Sequence, residues 1–460
     1  PGYKDGLTFN NKGNALYKSL LRIDATEIDG LDDLYFPSGP IEQAQLLLSR
    51  LYNTKKSYFL VNGSTVGNLT MIKASCRPGD TVLVQRNSHK SIFNALKLAR
   101  VQPIFISPEV DKGTKMAVMP SNDQMIQAMK EHPHIRAIVL TYPNYYGVTA
   151  DIEETIRYAK DKGIIVLVDE AHGAHFQLGD PFPKSTLAMG ADIVIHSAHK
   201  TLPAMTMGSF LHLNSDQVSA KKVESVMAML QTSSPSYPIM ASLDLARAYL
   251  ASIQKNDLKK IIEGIACFKE NIEQIDGLRL AKTDQSFVID PLKVLVGSDR
   301  NKTGYQLKED FQRLGFYPEM ADPYHVLLTL SLDGQVPYNE LNQYLKLHFQ
   351  NINQRLSPVV APHLIFEESQ SVSTLDITYD VMEVSDKTIV NLQEAIGEIA
   401  AQMVIPYPPG VPVIMEGQRI TSEHIKVIKD WQQSGAYFQG LYMDSSTQQA
   451  TIEVYKEFSK

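Results

Sequence analysis

The 460-residue chain has little of what marks several classes of protein. It has two cysteines, Cys76 and Cys267, and neither stands in a spacing typical of a metal site. This favours a reducing compartment, the cytoplasm, over a disulfide-stabilised secreted fold. The net charge is −7 without a long run of lysine or arginine, so neither nucleic-acid nor membrane-surface binding is expected. Apolar runs such as residues 163–168 are too short to span a bilayer.

What the chain does have is a repeated pattern of strands and helices. From about residue 55 to 215, short apolar runs alternate with helix-compatible stretches, which predicts a mainly parallel seven-stranded sheet with helices on both faces. The last of these runs suggests one antiparallel strand. We predict an α/β large domain over residues 1–280 with an N-terminal segment over 1–50, a smaller α+β domain over 281–404, and a C-terminal segment over 405–460.

Lys200 stands at the end of one of the predicted buried strands, in the stretch "SAHKTL". Removing an ammonium from water is costly and lowers its pKa. A lowered pKa suits an amine that must attack an aldehyde and form a Schiff base. The alternative is a lysine at the first exposed position after a strand.

Asp169 ends another predicted strand, in "LVDEAHGAH" (residues 167–175). A carboxylate there can hold a protonated ring nitrogen through a charge-assisted hydrogen bond. It can also cap the next turn, or ligate a metal together with His172 and His175. The string "DEAH" occurs in helicases, but the phosphate loop that helicases need is absent from the sequence.

Two further stretches add binding chemistry. The loop "VNGSTVGN" (61–68) follows a strand and opens a helix, so its backbone N–H groups and the hydroxyls of Ser64 and Thr65 suit a phosphate. His89 follows a strand in "RNSHKS", where its ring can stack on a planar cation or face solvent at a helix start. Taken in order, a phosphate loop, a histidine, a carboxylate and a lysine are the groups that pyridoxal phosphate requires.

With these stretches in place, the chain resembles the Orn/Lys/Arg decarboxylase family of fold-type-I pyridoxal-phosphate enzymes. The matching stretches run in the family's order from residue 30 to 414 and include "GLDDLYFPSGPIEQAQ", "PGDTVLVQRNSHKS", "SAHKTLPAMTMGS", "TSSPSYPIMASLD" and "YPPGVPVI". It is most similar to the shorter Gram-positive type without a large N-terminal wing domain. The resemblance implies a lyase that decarboxylates a basic amino acid with pyridoxal 5'-phosphate, works as a homodimer, and uses no metal.

The resemblance also assigns roles residue by residue. It implies that Lys200 binds the cofactor aldehyde, Asp169 pairs with the pyridine nitrogen, and His89 and Ala171 contact the two ring faces. His172 would lie near the ring. The phosphate would be held by Ser64, Thr65, Ser197, His199 and, from the neighbouring subunit, Ser233. Lys200 or His89 would return a proton to the product carbon.

Substrate choice rests on a departure from the family pattern. Where the family often has "PGE", this chain has Glu416, Gly417 and Gln418. We expect Glu416 and Gln418 to bind the distal end of the substrate, with an acid such as Asp32 or Asp33 of the partner as an alternative. Arginine is the first choice, because its planar fork can use an amide and a carboxylate together, and lysine and ornithine follow. An aminotransferase, another lyase, or a catalytically altered cofactor-binding protein remain alternatives.

Overall fold

The computed structural model describes residues 2–4, 7, 8, 10–334, 337–352, 366, 371–407, 410–443 and 449–456. Pro408 and Pro409, in the stretch "YPPGVPVI", lie outside these residues. Within the described part, no helix is both long and apolar enough to cross a membrane.

An eight-stranded sheet forms the centre of the molecule. Its strands are β1 (Lys56–Leu60), β2 (Thr81–Gln85), β3 (Gln102–Ile106), β6 (Ile135–Thr141), β8 (Ile165–Asp169), β9 (Ile193–His196), β10 (Ser209–Leu213) and β16 (Val372–Thr374). Their spatial order is β1-β10-β9-β8-β6-β2-β3-β16. Strands β9, β8, β6, β2 and β3 run parallel, and β10 is antiparallel to both of its neighbours, as the sequence pattern predicts.

Helices cover both faces of this sheet because its strands are apolar on both sides. Strand β8, for example, is buried at every position. The helices of this region are α1 (Asn11–Leu21), α2 (Pro40–Tyr52), α3 (Gly63–Ser75), α4 (Lys90–Ala99), α5 (Asn122–Glu131), α6 (Glu153–Asp161), α7 (Thr186–Met189), α8 (Ala198–Thr201), α9 (Ala220–Leu230), α10 (Tyr237–Ser252) and α11 (Lys255–Glu273). Two apolar clusters result, one on each face.

A four-stranded antiparallel sheet builds the smaller region. It is formed by β11 (Leu278–Leu280), β13 (Lys293–Ser298), β14 (Met320–Ala321) and β15 (His325–Thr329), with α12 (Gly304–Arg313) and α13 (Tyr338–Ile352) beside it. Two-stranded ribbons pair β4 (Val110–Asp111) with β5 (Met116–Ala117), and β7 (Val148–Thr149) with β12 (Val288–Ile289). The β7–β12 ribbon joins the large and small regions.

The last region differs from the predicted boundary at residue 404. Strand β16 returns to the large sheet and pairs with β3. The elements after it are α14 (Tyr379–Val384), β17 (Lys387–Asn391), β18 (Ile405–Pro406), α15 (Ser422–Ser434), β19 (Phe438–Gln439), β20 (Tyr442–Met443) and β21 (Ala450–Tyr455). Strand β17 pairs with β21, so residues 387–391 belong with the C-terminal region. Among the described residues, α13 is the last element of the small region, and β16 and the elements after it lie outside that region.

Candidate active site

The site lies where the parallel strands of the large sheet end. Asp169 is the last residue of β8, and Ser197 and Lys200 follow β9 directly. His89 caps the start of α4, just after β2. Because the carboxyl ends of parallel strands meet at one edge of a sheet, these side chains converge there.

Lys200 points its amine at a histidine. Its Nζ lies 2.9 Å from Nε2 of His172 and 5.5 Å from the ring centre of Tyr145. Burial lowers the pKa of the Lys200 ammonium below its usual value, and the charges of Asp169 and Glu319 oppose that shift. Burial and then the charge of Lys200 hold the pKa of His172 well below its usual value, so its neutral ring accepts from the amine.

Asp169 is 4% exposed and has no cation against it in any ion pair of the described residues. Its Oδ2 accepts from Nδ2 of Asn68 at 2.8 Å, and its Oδ1 accepts from the backbone N–H of Ala171 at 3.2 Å. A buried carboxylate with only neutral donors is poorly compensated. It can therefore take a charged donor, such as a protonated ring nitrogen.

Asn68 and Ser91, which the sequence reasoning missed, connect Asp169 to His89. Nδ2 of Asn68 also donates to Oγ of Ser91 at 2.9 Å, and that hydroxyl lies 2.8 Å from Nδ1 of His89. The backbone N–H of Ser91 donates to the same Nδ1, so His89 carries its proton on Nε2. Burial lowers the pKa of His89. Asn68 lies one helical turn after Ser64, a spacing that could have found it.

The predicted phosphate residues gather around the start of α3. The backbone N–H of Gly63 donates to the carbonyl of Met207, and that of His199 donates to the carbonyl of Gly208. The loop that contains Met207 and Gly208 thus holds the start of α3, with Ser64 and Thr65, beside the turn that contains Ser197. The first-turn N–H groups of a helix have no partner within the helix, which suits an anion.

Buried polar atoms at this site have no hydrogen-bond partner within the described residues. They include Oγ of Ser197, Nδ1 of His172 and Oδ1 of Asn68. Such groups are uncommon, because an unpaired buried polar atom costs roughly 1–3 kcal/mol. Together with the uncompensated Asp169 and the buried amine of Lys200, they fit a polar ring that carries a phosphate and an aldehyde. Pyridoxal phosphate has this set of groups.

Ser233 lies in an exposed turn next to the same helix start. The backbone N–H of Thr232 donates to Oδ1 of Asn62, the N-cap of α3, at 3.2 Å. The turn therefore already meets the phosphate loop of its own chain. Contribution of Ser233 from a partner chain remains a prediction.

The structure does not bring the predicted substrate residues together with Lys200. The Glu416 carboxylate contacts Nζ of Lys97 at 2.8 Å and the hydroxyl of Tyr455 at 2.8 Å. The Gln418 side chain accepts from Arg86 and from the backbone of Met415. Lys97 lies two turns along α4 from His89, so Glu416 sits at the far end of that helix.

The two aspartates offered as alternatives also have structural contacts. Both Asp32 oxygens accept backbone N–H groups around the start of α2, from Ser38, Gly39, Ile41 and Glu42. Burial alone would raise the pKa of Asp32, but these donors lower it. Asp33 accepts from the backbone N–H of Tyr35.

Glu319 is an acidic residue whose charge acts on Lys200 and which the sequence reasoning did not identify. It precedes β14 in the small region, and the hydroxyl of Tyr145 donates to its Oε1 at 3.3 Å. Its charge acts on both Lys200 and His199. None of the ion pairs within the described residues includes Glu319. No local pattern marks it, because its place beside Tyr145 depends on how the small sheet docks.

A cavity of about 60 Å³ opens beside Tyr145. The large, small and C-terminal regions all contribute to its wall. Its wall contains several aromatic rings, among them Tyr145, Tyr146, Tyr324 and Trp431, together with one carboxylate, Asp322, and one ammonium, Lys115. Tyr145 thus has the amine of Lys200 on one side and this cavity on another.

The alternative of a metal site finds no support in the positions of its residues. Nε2 of His172 faces Lys200, whereas Nε2 of His175 lies 3.1 Å from Oδ2 of Asp290. In the part of the chain that the structure describes, no group of three or more His, Cys, Asp or Glu side chains is arranged to hold a metal ion.

Comparisons with known proteins agree with this geometry. Residues 1–294 match the Orn/Lys/Arg decarboxylase major domain, and residues 366–450 match the C-terminal domain of the same family. The chain is 43% identical to the uncharacterized protein YaaO of Bacillus subtilis over 93% of this chain and 89% of that one. It is 31% identical to the arginine decarboxylase of B. subtilis, with the same coverage.

Solved structures show the same fold. Lysine decarboxylase A from Pseudomonas aeruginosa superposes with a TM-score of 0.82 at 19% identity, covering 99% of this chain and 78% of that one. The lysine decarboxylase of Francisella novicida gives a TM-score of 0.80 at 18% identity, with the same coverage. The α/β architecture predicted from the strand pattern is confirmed, and so is the fold type I that the family resemblance implies.

Proposed function

This chain belongs to the Orn/Lys/Arg decarboxylase family, and we propose that the basic amino acid that it decarboxylates is arginine. The family makes it a pyridoxal-phosphate enzyme that removes CO₂ from a basic amino acid. The choice of arginine rests on the aromatic cavity beside Tyr145, and Glu319, which contacts the same tyrosine, suits the distal cation of any basic amino acid. Relatives named arginine decarboxylase, about 31% identical to this chain, support the same choice.

Glu319 is suited to the distal cation of the substrate. A cation that leaves water needs an acidic partner, or the cost of desolvation prevents binding. Glu319 lies at the exposed side of the site, and Tyr145 joins it to Lys200. An extended basic amino acid with its α-amine at Lys200 could reach this carboxylate.

The aromatic cavity favours a guanidinium over an ammonium. A single water needs about 10–15 Å³, so a cavity of about 60 Å³ has room for a group of roughly four heavy atoms. A guanidinium has four, is planar, and stacks on aromatic rings, whereas an ammonium is a compact point charge.

The residues around Lys200 can each be given a part in the reaction. Bound pyridoxal phosphate supplies the electron sink that accepts the pair released when CO₂ leaves. Asp169 would keep a proton on the ring nitrogen, and His89 and Ala171 would enclose the ring. Ser197 and the start of α3 would hold the phosphate. Lys200 and His89 both carry an N–H that can return a proton to the product carbon.

A comparison of three substrates tests the proposal. We expect kcat/KM to be highest for arginine, then lysine, then ornithine. Glu319→Gln should lower kcat/KM for arginine by roughly 10- to 100-fold, the effect of one charge-assisted hydrogen bond. Glu309→Gln is the matched control, because Glu309 is an exposed glutamate of the same region that contacts only Arg313 in its ion pair. A wild-type preference for lysine or ornithine would overturn the choice of arginine.

We also propose that the working unit is a homodimer. Large apolar side chains are exposed in the N-terminal segment and near the loop that holds α3: Leu16, Phe36, Met205, Met207 and Leu245. Tyr237, the first residue of α10, donates to the backbone carbonyl of Asp32, so these surfaces adjoin one another. An apolar surface of this kind is typical of a subunit interface.

Mixed dimers test where Ser233 acts. A Lys200→Ala chain and a Ser233→Ala chain are each expected to be impaired, and mixing them should restore activity if Ser233 completes the partner's site. No recovery despite proven subunit exchange would mean that the turn serves its own chain. A cytoplasmic location stays part of the proposal, supported by Cys76 and Cys267, which are both free thiols.

A further inference from the structure

Arg86 is a buried cation at the active-site end of β2. Its side chain is directed at the C-terminal region, where it donates to the carbonyls of Pro412 at 2.7 Å and Val413 at 3.1 Å. It also donates to the side-chain oxygen of Gln418 at 3.4 Å. One guanidinium therefore holds three points of the segment 410–418.

No ion pair within the described residues gives Arg86 a carboxylate. Arg86 is 4% exposed, and burial lowers the pKa of its guanidinium to about 9. The guanidinium faces the rings of Phe93 and Phe366. At position 418 this chain has an amide side chain, Gln418, where the Orn/Lys/Arg decarboxylase family often has glutamate. The contact with the segment thus relies on neutral acceptors and ring faces.

The segment that Arg86 holds covers one edge of His89. The backbone N–H of Lys90 donates to the carbonyl of Gly410 at 3.3 Å. Gly410 has φ of +89°, and a Cβ there would lie 3.2 Å from Cδ2 of His89. Only glycine adopts this conformation without strain and also leaves room for the imidazole. The other edge of the ring is fixed by Ser91.

We propose that Arg86 is a positioning residue, which fastens the segment 410–418 against His89 and so fixes the imidazole that contacts the cofactor ring. Arg86 acts through the segment and does not itself touch the reacting atoms. This role is independent of which basic amino acid is the substrate. It makes the C-terminal region part of the active site, although none of the predicted cofactor residues lies in that region.

Hydrogen exchange on the full-length holoenzyme tests the fastening directly. In Arg86→Gln we expect the amides of 410–418 to exchange at least about tenfold faster, because the local opening energy falls. Helix α11 serves as the reference segment and should not change. Arg100→Gln is the matched control, because Arg100 also joins α4 to the C-terminal region, through exposed pairs with Asp380 and Glu383. It should leave 410–418 unchanged.

A second measurement separates positioning from general stability. Release of the segment should lower kcat by roughly 10- to 100-fold with a smaller change in KM, and Arg86→Lys should recover little, since an ammonium cannot reach three acceptors. His89 should also react faster with diethyl pyrocarbonate, measured against exposed His134 in the same sample. Asp169, Lys200 and Lys90, whose charges act on His89, are unchanged in these variants.

Should Arg86→Gln not fold, Gln418→Glu keeps the proposal open to test. A carboxylate at 418 gives the guanidinium a charged partner, so exchange in 410–418 should slow and the melting temperature should rise. Faster exchange in Gln418→Glu would overturn the proposal. Equal exchange of 410–418 in wild type and Arg86→Gln would also overturn it, as would equal loss of kcat in Arg86→Gln and Arg100→Gln.

Discussion

Two buried polar networks lie side by side in the large sheet, and they differ in how completely they are paired. In the first, Glu170 accepts from Ser185 and Thr186 and lies 3.1 Å from His196, which in turn contacts His212 and, beyond it, Ser57. Each member has partners at both ends. We call this the closed network.

The second network begins one residue earlier in sequence, at Asp169, and runs through Asn68 and Ser91 to His89. We call it the open network. Within the described residues, Oδ1 of Asn68 in this network is unpaired, and the neighbouring Ser197 and His172 also retain unpaired atoms. Both networks contain a carboxylate and histidines at the same sheet, so residue type does not separate them. The unpaired hydrogen-bonding atoms separate the two networks, and they favour the open network as the one that receives a ligand.

The largest expected effect of breaking the open network is at Lys200. Lys200→Ala removes the amine that we propose binds the cofactor aldehyde, so we expect turnover to fall by at least roughly 10²–10⁴-fold. Borohydride reduction of the wild type followed by peptide mapping should place the adduct on Lys200. An adduct on another lysine would contradict the assignment.

The adjacent carboxylates give the sharpest test of the difference between the networks. Asp169→Asn should lower turnover by at least roughly 10- to 100-fold with little change in unfolding free energy, because its charge acts on a ligand. Glu170→Gln should do the opposite and cost about 2–5 kcal/mol of unfolding free energy, because it breaks a filled network. Denaturant titration of both apoproteins measures the second effect. Equal destabilisation by the two variants would erase the distinction.

A smaller effect is expected when the open network is filled. Pyridoxal phosphate at 100 times its dissociation constant should stabilise the protein by about 2.7 kcal/mol. Ser197→Ala should reduce this stabilisation, because it removes a buried hydroxyl that has no partner within the described residues. Ser185→Ala, which removes a hydroxyl of the closed network, is the control for cofactor affinity. Thermal melts with and without cofactor provide the comparison.

The smallest effect is a pH dependence of the closed network. Burial and then the charge of His196 hold the pKa of His212 well below its usual value. The unfolded chain therefore binds the proton more readily, so the stability is present above about pH 6.5 and is lost as the pH falls further. His212→Gln should flatten that fall in melting temperature between pH 6.5 and 5. An unchanged slope would assign the acid sensitivity to other groups.

The sequence was sufficient to predict the candidate site residues that lie at the ends of strands. Lys200, Asp169 and His89 each follow an apolar run, and parallel strands bring such positions together whatever else the chain does. Glu319 and Tyr145 could not be found this way, because their contact requires the small sheet to dock on the large one. The eighth strand, β16, was not predicted. It has three residues and lies far from β3 in sequence, so its hydrophobic pattern is too short to indicate a strand of the large sheet.

The predicted substrate residues show a different dependence on the fold. Glu416 and Gln418 were chosen by their place in a motif, but a charge in a motif binds whatever lies nearest in space. In this chain that is Lys97 for Glu416 and Arg86 for Gln418. Both side chains thus contact cations that are distant from them in sequence.

The return of β16 to β3 affects how the protein is made. Strand β3 emerges from the ribosome early, but its partner Val372 follows only after the whole small sheet. At ~5–20 residues per second, the edge of β3 stays open for tens of seconds. An open apolar edge invites pairing with other chains, and Pro103, which cannot donate, blocks only one position along it. A chain truncated after residue 294 would keep that edge permanently exposed, and aggregation during synthesis is its expected fate.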